Sequence, residues 1–464
     1  MYAKLKSCVR LKSHIAMSYN TPAQYATVQP SMGLPEELIG TELKSFAARS
    51  NIRSSPSVSG SAVGPSSSML FTIANDQSFI KPNSMFLRCK VTVTGALGTA
   101  GYYAFSGQSA TAAPTSGVTA TGHGVGGASS LIQRCTVTLP GGVSLTYNNW
   151  SHMQNAVIKP HCLSSLYVSN DLRQLEHTNT IRNMTAYNDV TRSMWVSIPL
   201  NIPVFNASSA FPLCLCSAPL SLEINTNTVI DAYYAVVATV TGFAIDNASL
   251  VYETISPSAE FISALKQAKQ SVPYSLAVND WMGMSTGVSG AGVSRLQFGL
   301  GLASLKSVVF TFQTQPTATS SKVYQSGGMT QWTGYVDGVQ VTPPNLNSSD
   351  FVYLECQRAL QRVNDSNIDS FFTSEAPTAT NTLRNNYESA YFLAGVNTSI
   401  LDSANLSQVG IPCGTLVLEA ELSATQDLAK WQATNAAAAA NVYVFCMFDS
   451  VISIDAMGIC TLRR

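Results

Sequence analysis

The side chains best suited to bind a metal ion are concentrated in one short stretch of the chain. His152, His161, Cys162 and His177 fall within 26 residues. Zinc sites place their ligands at set spacings, such as HExxH, CxxC or the paired spacing of a zinc finger, and this stretch matches none of them. We therefore expect these side chains to be scattered over loops and a small helix, without a bound metal.

Two short patterns resemble parts of enzyme active sites but lack the rest of the motif. Gly122–Gly127 has the form GxGxxG, yet a Gly/Ala/Thr-rich loop precedes it and a strand-like segment follows, whereas a dinucleotide site needs a strand and then a helix. Gly287–Gly292 approaches the GxSxG turn of serine hydrolases, but Ala291 stands where the last glycine belongs. Two neighbouring acids, Glu36 and Glu37, lie in the N-terminal segment and not on facing strands. We predict that the chain is not an enzyme and uses no cofactor.

The cysteines and the N-terminus indicate a protein that folds inside a cell. The chain has ten cysteines and no CxxC pair. Cys214 and Cys216 would lie on one face of an extended strand, about 7 Å apart at roughly 3.3 Å per residue, which is too far for a relaxed disulfide. We expect buried, reduced thiols that act as small hydrophobes. Basic residues interrupt the apolar run that a signal peptide needs, and no apolar run is long enough for a transmembrane helix.

The N-terminal segment carries a signal for a charged partner. Lys4, Lys6, Arg10 and Lys12 give four positive charges before the first acid, Glu36. Four phosphate contacts would give weak, salt-sensitive affinity for a genome, and the roughly helical spacing of nearby apolar residues would also allow contact with an inner membrane. An arm that clamps a neighbouring subunit and a segment without fixed structure are the two other interpretations.

The composition is poor in charge. Of 464 residues, 26 are Lys or Arg and 26 are Asp or Glu, so the formal net charge is zero and charged residues make up 11%. Hydrophobic residues reach 45%, which excludes a disordered chain, and the low charge excludes a surface built as a polyelectrolyte for nucleic acid. Because an uncharged polar group costs less to bury than a charge, we predict a protein whose sides are covered by copies of itself.

Alternating apolar and polar residues predict an all-β fold. In the clearest example Leu87, Cys89, Val91 and Val93 point one way and polar residues point the other. The pair Asp337-Gly338 is typical of a tight hairpin turn. Further strands are predicted at Gln133–Leu139, Val143–Tyr147, Met194–Leu200, Leu220–Ile224, Ala232–Val240, Leu250–Ile255, Leu296–Leu302, Val308–Phe312, Tyr391–Gly395, Thr415–Leu422, Asn441–Phe448 and Val451–Ile454. A long Gly/Ala/Ser/Thr loop is predicted from about Gly95 to Ser130.

Two halves of nearly equal length repeat this pattern. The spans 66–257 and 272–464 contain 192 and 193 residues. Leu222 and Leu418 fall at matching points in the similar segments AFPLCLCSAPLSLEIN and VGIPCGTLVLEAEL. Units of about 190 residues with eight or so strands and long loops fit a jelly-roll sandwich.

These observations predict four segments. Residues 1–65, interrupted by prolines, form an N-terminal arm, and 66–257 form a first jelly roll. A linking helix over 258–271, with Ser256 as its N-cap, leads to a second jelly roll at 272–464. The predicted fold class is therefore all-β, with two consecutive eight-stranded jelly-roll sandwiches, an N-terminal arm and a short inter-roll helix.

Five segments carry a further likeness through their order and spacing: DQSFIKPNSMFLRCKVTV, SSLIQRCTVTLPGGVSLTYNNW, SIPLNIPVF, AFPLCLCSAPLSLEI and NASLVYETISPSAEF. In these segments the chain resembles the double jelly-roll major capsid proteins of tailless icosahedral DNA viruses. The likeness extends over roughly residues 66 to 464, and none of the segments is a catalytic signature. The chain is compact for that family, which implies short loops on the outer face of the shell.

The resemblance implies a structural protein of the virion. Three copies would form a homotrimer whose six jelly rolls make a pseudo-hexagonal capsomer, and capsomers would tile an icosahedral capsid after folding and self-assembly inside the host cell. The partners it implies are copies of the chain itself, neighbouring capsomers and minor or vertex capsid proteins. Members of the family often enclose an internal membrane, which the N-terminal arm would be placed to contact.

Two alternatives keep an all-β fold. One is the capsid protein of a small RNA virus, with a single shell jelly roll and a protruding β domain; such arms are normally more basic, and the halves need not match in length. The other is a sugar- or receptor-binding β-sandwich protein, in which Trp281, Trp332 and Tyr335 would stack on a sugar ring. The sugar-binding hypothesis requires these rings to be exposed.

Overall fold

The computed structural model describes most of the chain after residue 48. The described residues are 49–60, 62–96, 102–107, 109–110, 122–123, 125–164, 167–178, 182–183, 193–207, 209–236, 239–314, 323–362, 383–399, 409–425, 427–431 and 440–464. The four basic residues of the arm, Lys4, Lys6, Arg10 and Lys12, lie outside this part, so their contacts stay a prediction.

The first half of the described chain is built from strands, of which the last is the longest. In chain order they are β1 (Arg49–Pro56), β2 (Ser68–Ile73), β3 (Phe79–Ile80), β4 (Phe86–Ala96), β5 (Tyr102–Phe105), β6 (Ser109–Ala110), β7 (Gly122–His123), β8 (Ile132–Thr138), β9 (Ser144–Asn148), β10 (Arg182–Asn183), β11 (Ser193–Pro199), β12 (Phe211–Pro212), β13 (Leu220–Thr226), β14 (Tyr233–Val236) and β15 (Thr239–Ser256).

The second half of the described chain has fewer and longer strands. They are β16 (Tyr274–Val288), β17 (Gly292–Thr314), β18 (Tyr324–Gln325), β19 (Met329–Val336), β20 (Val339–Gln340), β21 (Ala394–Asn397), β22 (Ile411–Leu422), β23 (Ala440–Ile454) and β24 (Cys460–Arg463).

Helices fill the longer connections between strands. Helix α1 starts as one turn at Trp150–His152 and continues with π-helical hydrogen bonding over Met153–Cys162, and α2 joins the π-helical Tyr167–Asp171 to Leu172–Leu175. The others are α3 (Val229–Ala232), α4 (Ala259–Ser271), α5 (Ser349–Ala359) and α6 (Leu383–Ala390), with 3-10 turns at Ala128–Leu131, Pro203–Phe205 and Leu213–Leu215.

Strands β1 to β15, which we call the first unit, form two main sheets with the strand order of a jelly roll. One sheet is ordered β1-β15-β4-β11, and the other β2-β13-β8-β9. The alternation predicted for β4 is confirmed, because Leu87, Cys89, Val91 and Val93 are buried in the core while Arg88 is exposed. Each strand thus gives one face to the core and the other to the outside of its sheet.

Strands β16 to β24, the second unit, repeat this order with one strand serving both sheets. The 23-residue strand β17 pairs with β22 over Gly292–Leu305 and with β23 over Leu305–Thr314. The sheets are therefore ordered β16-β23-β17-β21 and β17-β22-β19-β20. Register shifts between Gly299 and Leu305 bend the strand, and Gly301 there has a φ of 64°, which favours glycine.

The predicted repeat of the two halves is confirmed at the level of single strands. Leu222 lies on β13 between Phe71 of β2 and Val137 of β8. Leu418 lies on β22 between Leu296 of β17 and Gly334 of β19. The two leucines thus occupy the same strand position in their units. The hairpin turn at Asp337-Gly338 is also confirmed, since both residues have a positive φ.

Several boundaries differ from the predictions. Arg49–Pro56 lies within the stretch assigned to the arm, but it forms β1 and pairs over all eight residues with β15. Residues 239–256 form the single strand β15, whereas the prediction had one strand ending at Val240 and another beginning at Leu250. A bulge between Asp246 and Ser249, where Asn247 has a φ of 50°, interrupts the alternation there without ending the strand.

Two other pairs of predictions fail for a similar reason. The strands predicted at Leu296–Leu302 and Val308–Phe312 are both parts of β17, and those predicted at Asn441–Phe448 and Val451–Ile454 are both parts of β23. A strand that bends or changes its neighbours keeps its backbone hydrogen bonds while its apolar pattern breaks. Strand β5 also lies inside the predicted loop from Gly95 to Ser130.

The N-cap of the linking helix α4 lies two residues later than predicted. Its N-cap is Ser258, whose hydroxyl accepts a hydrogen bond from the backbone N–H of Phe261 at 3.3 Å, while the predicted cap, Ser256, is the last residue of β15. Lys269 of α4 donates a hydrogen bond to the carbonyl of Leu215 at 3.0 Å, which fastens the helix to the first unit. Among the described residues, none of the helices has the length and apolar character needed to span a bilayer.

Candidate assembly surface

The stretch from His152 to His177, which contains the candidate metal ligands, joins the two units. His152 of α1 stacks on Tyr443 with ring centroids 3.7 Å apart, and its Nδ1 lies 3.0 Å from the hydroxyl of Tyr324. His161 is buried with its Nε2 3.0 Å from the carbonyl oxygen of Tyr391. Burial lowers the pKa of His161 to about 4, so the neutral ring donates its N–H to that carbonyl.

The remaining members of that stretch make backbone contacts. The carbonyl of Cys162 accepts a hydrogen bond from Arg362 of the second unit at 3.3 Å, and Nε2 of His177 lies 3.3 Å from the carbonyl of Trp195. In the part of the chain that the structure describes, no three His, Cys, Asp or Glu side chains are grouped as metal ligands would be.

Strand β9 extends the contact that α1 makes. The ring of Tyr147 lies 5.3 Å from that of Trp281 on β16, which in turn lies 5.9 Å from Phe445 on β23. Gly283 of β16 sits so close to β9 that a Cβ atom added to it would be 2.3 Å from the carbonyl oxygen of Asn148. We call this contact of β9 and α1 with β16 and β23 the seam.

The seam contains a buried carboxylate whose pKa is shifted. Asp280 of β16 is buried near Tyr147, and its Oδ1 accepts a hydrogen bond from the backbone N–H of Trp281 at 3.0 Å. Burial raises the pKa of Asp280 to about 6, although Arg464, 3.7 Å away, acts in the opposite direction. Burial and the nearby Asp280 also raise the pKa of the Tyr147 hydroxyl.

A second buried charge holds α1 in place from the side of the first unit. Lys159 donates hydrogen bonds to Glu176 and to the hydroxyl of Ser129, each at 2.6 Å, and to the side-chain oxygen of Asn155 at 3.1 Å. Burial lowers the pKa of Lys159, and the carboxylate of Glu176 opposes that shift. Because the lysine has three acceptors, the charge is well satisfied and fixes the helix that forms the seam.

The seam covers the outer face of one sheet in the second unit. On β17, Val308 and Phe310 belong to the second unit's own core, whereas Val309, which points the other way, belongs to the cluster that contains the first unit's core and extends into the second unit. On β23, Val444 and Phe445 divide in the same manner. We call this face of the β16-β23-β17-β21 sheet the covered face.

The equivalent sheet of the first unit has no such cover among the described residues. On the outer face of the β1-β15-β4-β11 sheet, Ile52 is 75% exposed and Trp195 is 50% exposed. Arg88 is exposed beside Trp195, with its guanidinium 5.2 Å from the centre of the Trp195 ring. We call this surface the bare face.

The rings required by the sugar-binding hypothesis are not exposed together. Trp332 is buried in the core of the second unit, where its ring lies 4.9 Å from Phe310, and Trp281 is buried in the seam. Tyr335 is half-buried on β19. The sugar-binding hypothesis is therefore wrong in the form that these three rings gave it.

No protein-family model matches the chain, and no curated protein matches it either. Among solved structures, the chain is similar to VP54 of PBCV-1 fitted into a reconstruction of the virophage Sputnik, with a TM-score of 0.57 and 12% identity over 92% of this chain and 99% of that one. The chain is also similar to a chain of the PBCV-1 virus capsid, with a TM-score of 0.56 and 12% identity over 92% of this chain and 99% of that one. A chain of the Sputnik virophage gives 0.53 with 9% identity, 91% and 89% being covered.

These likenesses extend over both units, which excludes the alternative with one shell jelly roll and an unlike protruding domain. The strand orders and the likenesses together confirm the predicted fold: the chain is a double jelly roll, as in the PBCV-1 capsid and the Sputnik virophage.

Proposed function

We propose that the chain is the major capsid protein of an icosahedral virus and that its function is self-assembly. The fold supports this proposal, because the similar chains come from a virus capsid and a virophage particle. The described histidines agree with it, since His152 and His161 of the first unit contact Tyr443 and Tyr391 of the second unit and so join the two units.

One observation carries the proposal further, to the trimer. The covered face and the bare face are equivalent surfaces of two equivalent units, yet the described residues of one chain cover only the first of them. The seam is also heterologous, because it joins a strand and a helix of one unit to a sheet face of the other. Such a contact can be repeated from unit to unit, and it ends without an open face if the rotation closes into a ring.

A ring of six units, or three chains, would cover every such face. We infer a homotrimer of pseudo-hexagonal outline, which tiles with its neighbours to form an icosahedral shell. Stable contacts of this kind each bury roughly 1,000 Å² or more, and a chain with only 11% charged residues has few charges to desolvate when its surface is buried.

Light scattering coupled to size-exclusion chromatography tests the trimer directly. We expect a species with three times the 49.4 kDa mass of one chain, and negative-stain images with a six-cornered outline. A protein that stays monomeric at micromolar concentration in every buffer would refute the trimer. Particles with two-fold symmetry would refute the ring.

In the proposed capsid protein, the chain consists of an arm, two jelly rolls and a linking helix, and it has partners besides its own copies. The first jelly roll begins at Arg49 and not at residue 66, α4 links the units, and the second jelly roll occupies 272–464. The arm before β1, with its four basic residues, would contact the genome or an inner membrane. Minor or vertex capsid proteins would bind outside the trimer, and the assembled protein would be located in the virion.

A further inference from the structure

A lysine, an asparagine and a glutamate meet in the interior of the first unit. Lys159 and Asn155 lie four residues apart on helix α1, and Glu176 directly follows helix α2. The three residues are almost completely buried, with exposed fractions of 1%, 3% and 2%. A lysine and a carboxylate taken out of water keep a desolvation cost that their attraction does not always repay, so the chemistry open to this group is of interest.

The lysine nitrogen is held beside the side-chain amide of the asparagine. Nζ of Lys159 donates a hydrogen bond to Oδ1 of Asn155 at 3.1 Å. The amide carbon Cγ lies about 1.2 Å from that oxygen, so a small rotation about the outer bonds of the lysine brings nitrogen and carbon to the roughly 3–3.5 Å of a reactive contact. The nitrogen is therefore placed to attack that carbon.

Glu176 is positioned to carry protons for this attack. Its Oε2 accepts hydrogen bonds from Nζ of Lys159 at 2.6 Å and from the backbone N–H of Ser129 at 3.1 Å. A lysine attacks only as a neutral amine, and transfer of its proton to the carboxylate turns a buried ion pair into two neutral groups. Burial lowers the pKa of Lys159 and so favours the transfer, against the opposing effect of the Glu176 carboxylate.

Two serines of the 3-10 turn Ala128–Leu131 hold the amide of Asn155 at both ends. The hydroxyl of Ser129 donates a hydrogen bond to Oδ1 at 3.1 Å, and the hydroxyl of Ser130 accepts one from Nδ2 at 2.9 Å. Ser130 in turn donates to the carbonyl of Ser106 at 2.8 Å, which fixes its own orientation. A donor on the amide oxygen stabilises the negative charge that develops there during an attack on Cγ, as an oxyanion hole does.

We propose that Lys159 and Asn155 join through an isopeptide bond, with Glu176 as the proton carrier. The neutral amine attacks Cγ and forms the new C–N bond, and the negative charge of the intermediate rests on Oδ1 beside Ser129. As the Cγ–Nδ2 bond breaks, Glu176 gives a proton to the leaving nitrogen and takes one from the attacking nitrogen. One ammonia molecule departs, no further reactant is consumed, and the buried ion pair is replaced by an amide and a neutral carboxyl group.

The second unit contains a similar group that is open to water. Nζ of Lys306 lies 2.9 Å from Oδ1 of Asn279 and 3.2 Å from Oδ1 of Asp449. Asn279 is exposed on β16, so water competes for its carbonyl oxygen and solvates its amide. We expect no bond there, and this group serves as an internal reference for the buried one.

The bond would close a ring across one turn of α1 beside the seam. That turn lies between His152, which stacks on Tyr443, and His161, whose ring lies 3.0 Å from the carbonyl oxygen of Tyr391. A covalent link here would hold α1 in the conformation that joins the two units. The inference does not depend on the proposed trimer, because every residue that it uses lies within one chain.

Mass spectrometry of the purified full-length protein tests the bond. We expect the wild type to be lighter than its sequence mass by one ammonia molecule, about 17 Da. In a tryptic digest the loss should lie in the peptide of residues 135–173, which contains both partners. Fragment ions from cleavage between Asn155 and Lys159 should be missing, because the ring holds the two parts together. A wild type with its full sequence mass would overturn the proposal.

Three variants assign the roles. Asn155→Ala removes the carbon that is attacked and Glu176→Gln removes the proton carrier, so both should have their full sequence mass. Asn279→Ala, from the exposed group, is the matched control and should keep the loss of one ammonia molecule. A loss that persists in Asn155→Ala, or that maps to Asn279, would overturn the proposal, and a loss that persists in Glu176→Gln would overturn the role of Glu176. Circular dichroism verifies folding, and the wild-type mass decides the proposal even if a variant does not fold.

Discussion

The covered face and the bare face come from equivalent sheets, but their side chains differ in kind. The covered face presents Tyr443 and Phe445 from β23 and Val309 from β17. The bare face presents charged and polar side chains from β4, such as Arg88 and Lys90, and has apolar side chains at its edges. The fold alone therefore does not decide what an outer sheet face is made of.

In the proposed trimer, the difference between the two faces reflects when each of them is covered. The covered face is sealed as the chain folds, so it can be as apolar as a core. A chain that must stay soluble before it meets its partners cannot expose such a surface, and interfaces that form later are accordingly more polar. In the proposed trimer, a contact within the chain and its repeat between chains would therefore have the same geometry and different chemistry.

Truncating one ring on each face is the strongest way to break this comparison. Phe445→Ala removes a buried ring from the covered face, so we expect the free energy of unfolding to fall by about 3–5 kcal/mol. Trp195→Ala removes a larger but half-exposed ring from the bare face, and at concentrations where the chain is monomeric we expect a change of about 0.5 kcal/mol or less. Urea unfolding measures both.

A similar loss for the two variants in the monomer would mean that the bare face is already covered within the chain. The distinction between the faces would then be wrong, and the bare face would no longer support a trimer. At concentrations where trimers form, the Trp195 variant should show its own effect, a lower fraction of assembled chains.

Adding one methyl group tests how closely the seam is packed. Gly283→Ala would put a Cβ against the backbone oxygen of Asn148, which no rotamer can relieve, so we expect a loss of about 1–3 kcal/mol. Gly287→Ala on the same strand is the matched control, because nothing lies within 4 Å of its added Cβ. There we expect no loss, or a gain of about 0.4–1 kcal/mol from the stiffer unfolded chain. Equal effects at the two glycines would show that β9 does not approach β16 as described.

The sequence predicts the two units but not the seam between them. The alternation at β4 and the match of Leu222 with Leu418 are local patterns, so the strands and their repeat can be recognised from residue order alone. The role of His152 or Gly283 depends on which strands of different units meet, and no spacing records that. The cluster of histidines was noticeable, but a neutral ring that stacks and a metal ligand have the same sequence signal.

Strand β1 could not be predicted from the sequence for a similar reason. Strand β1 is rich in serine and arginine because its side chains are exposed, and so it resembled the arm that precedes it. Only its pairing with β15, about 200 positions later in the chain, identifies it as part of a sheet. Backbone hydrogen bonds do not depend on side-chain hydropathy, which explains why an edge strand of this kind escapes prediction.

The pH dependence of the free energy of unfolding tests the seam at Asp280, with a smaller expected effect. The pKa of Asp280 is about 6 in the folded chain and 3.8 in its reference state, so the folded chain holds a proton that the unfolded chain has lost between these values. Stability from this group is full below about pH 4 and is lost as the pH rises through 6. Asp280→Asn does not titrate, so its advantage over the wild type should grow between pH 4.5 and pH 7, on the order of 1–2 kcal/mol.

The free energy of unfolding is measured for both proteins at the two pH values. In the difference between variant and wild type, the contributions of all other groups cancel. A difference between variant and wild type that does not change with pH would mean that Asp280 is solvated. The seam would then be open to water at this point and would no longer differ from the bare face.

The smallest expected effect distinguishes the bare face from the arm as the site of anion binding. If the arm contacts the genome, the logarithm of the binding constant for duplex DNA should fall with the logarithm of salt concentration with a slope of about −3 to −4, as four phosphate contacts require. Replacing all four basic residues of the arm, Lys4, Lys6, Arg10 and Lys12, by Gln should bring that slope close to zero. The double variant Arg88→Gln, Lys90→Gln removes two charges from the bare face and should leave the slope unchanged. The reverse result would mean that the bare face binds nucleic acid in place of a second copy, since one surface cannot be occupied by both.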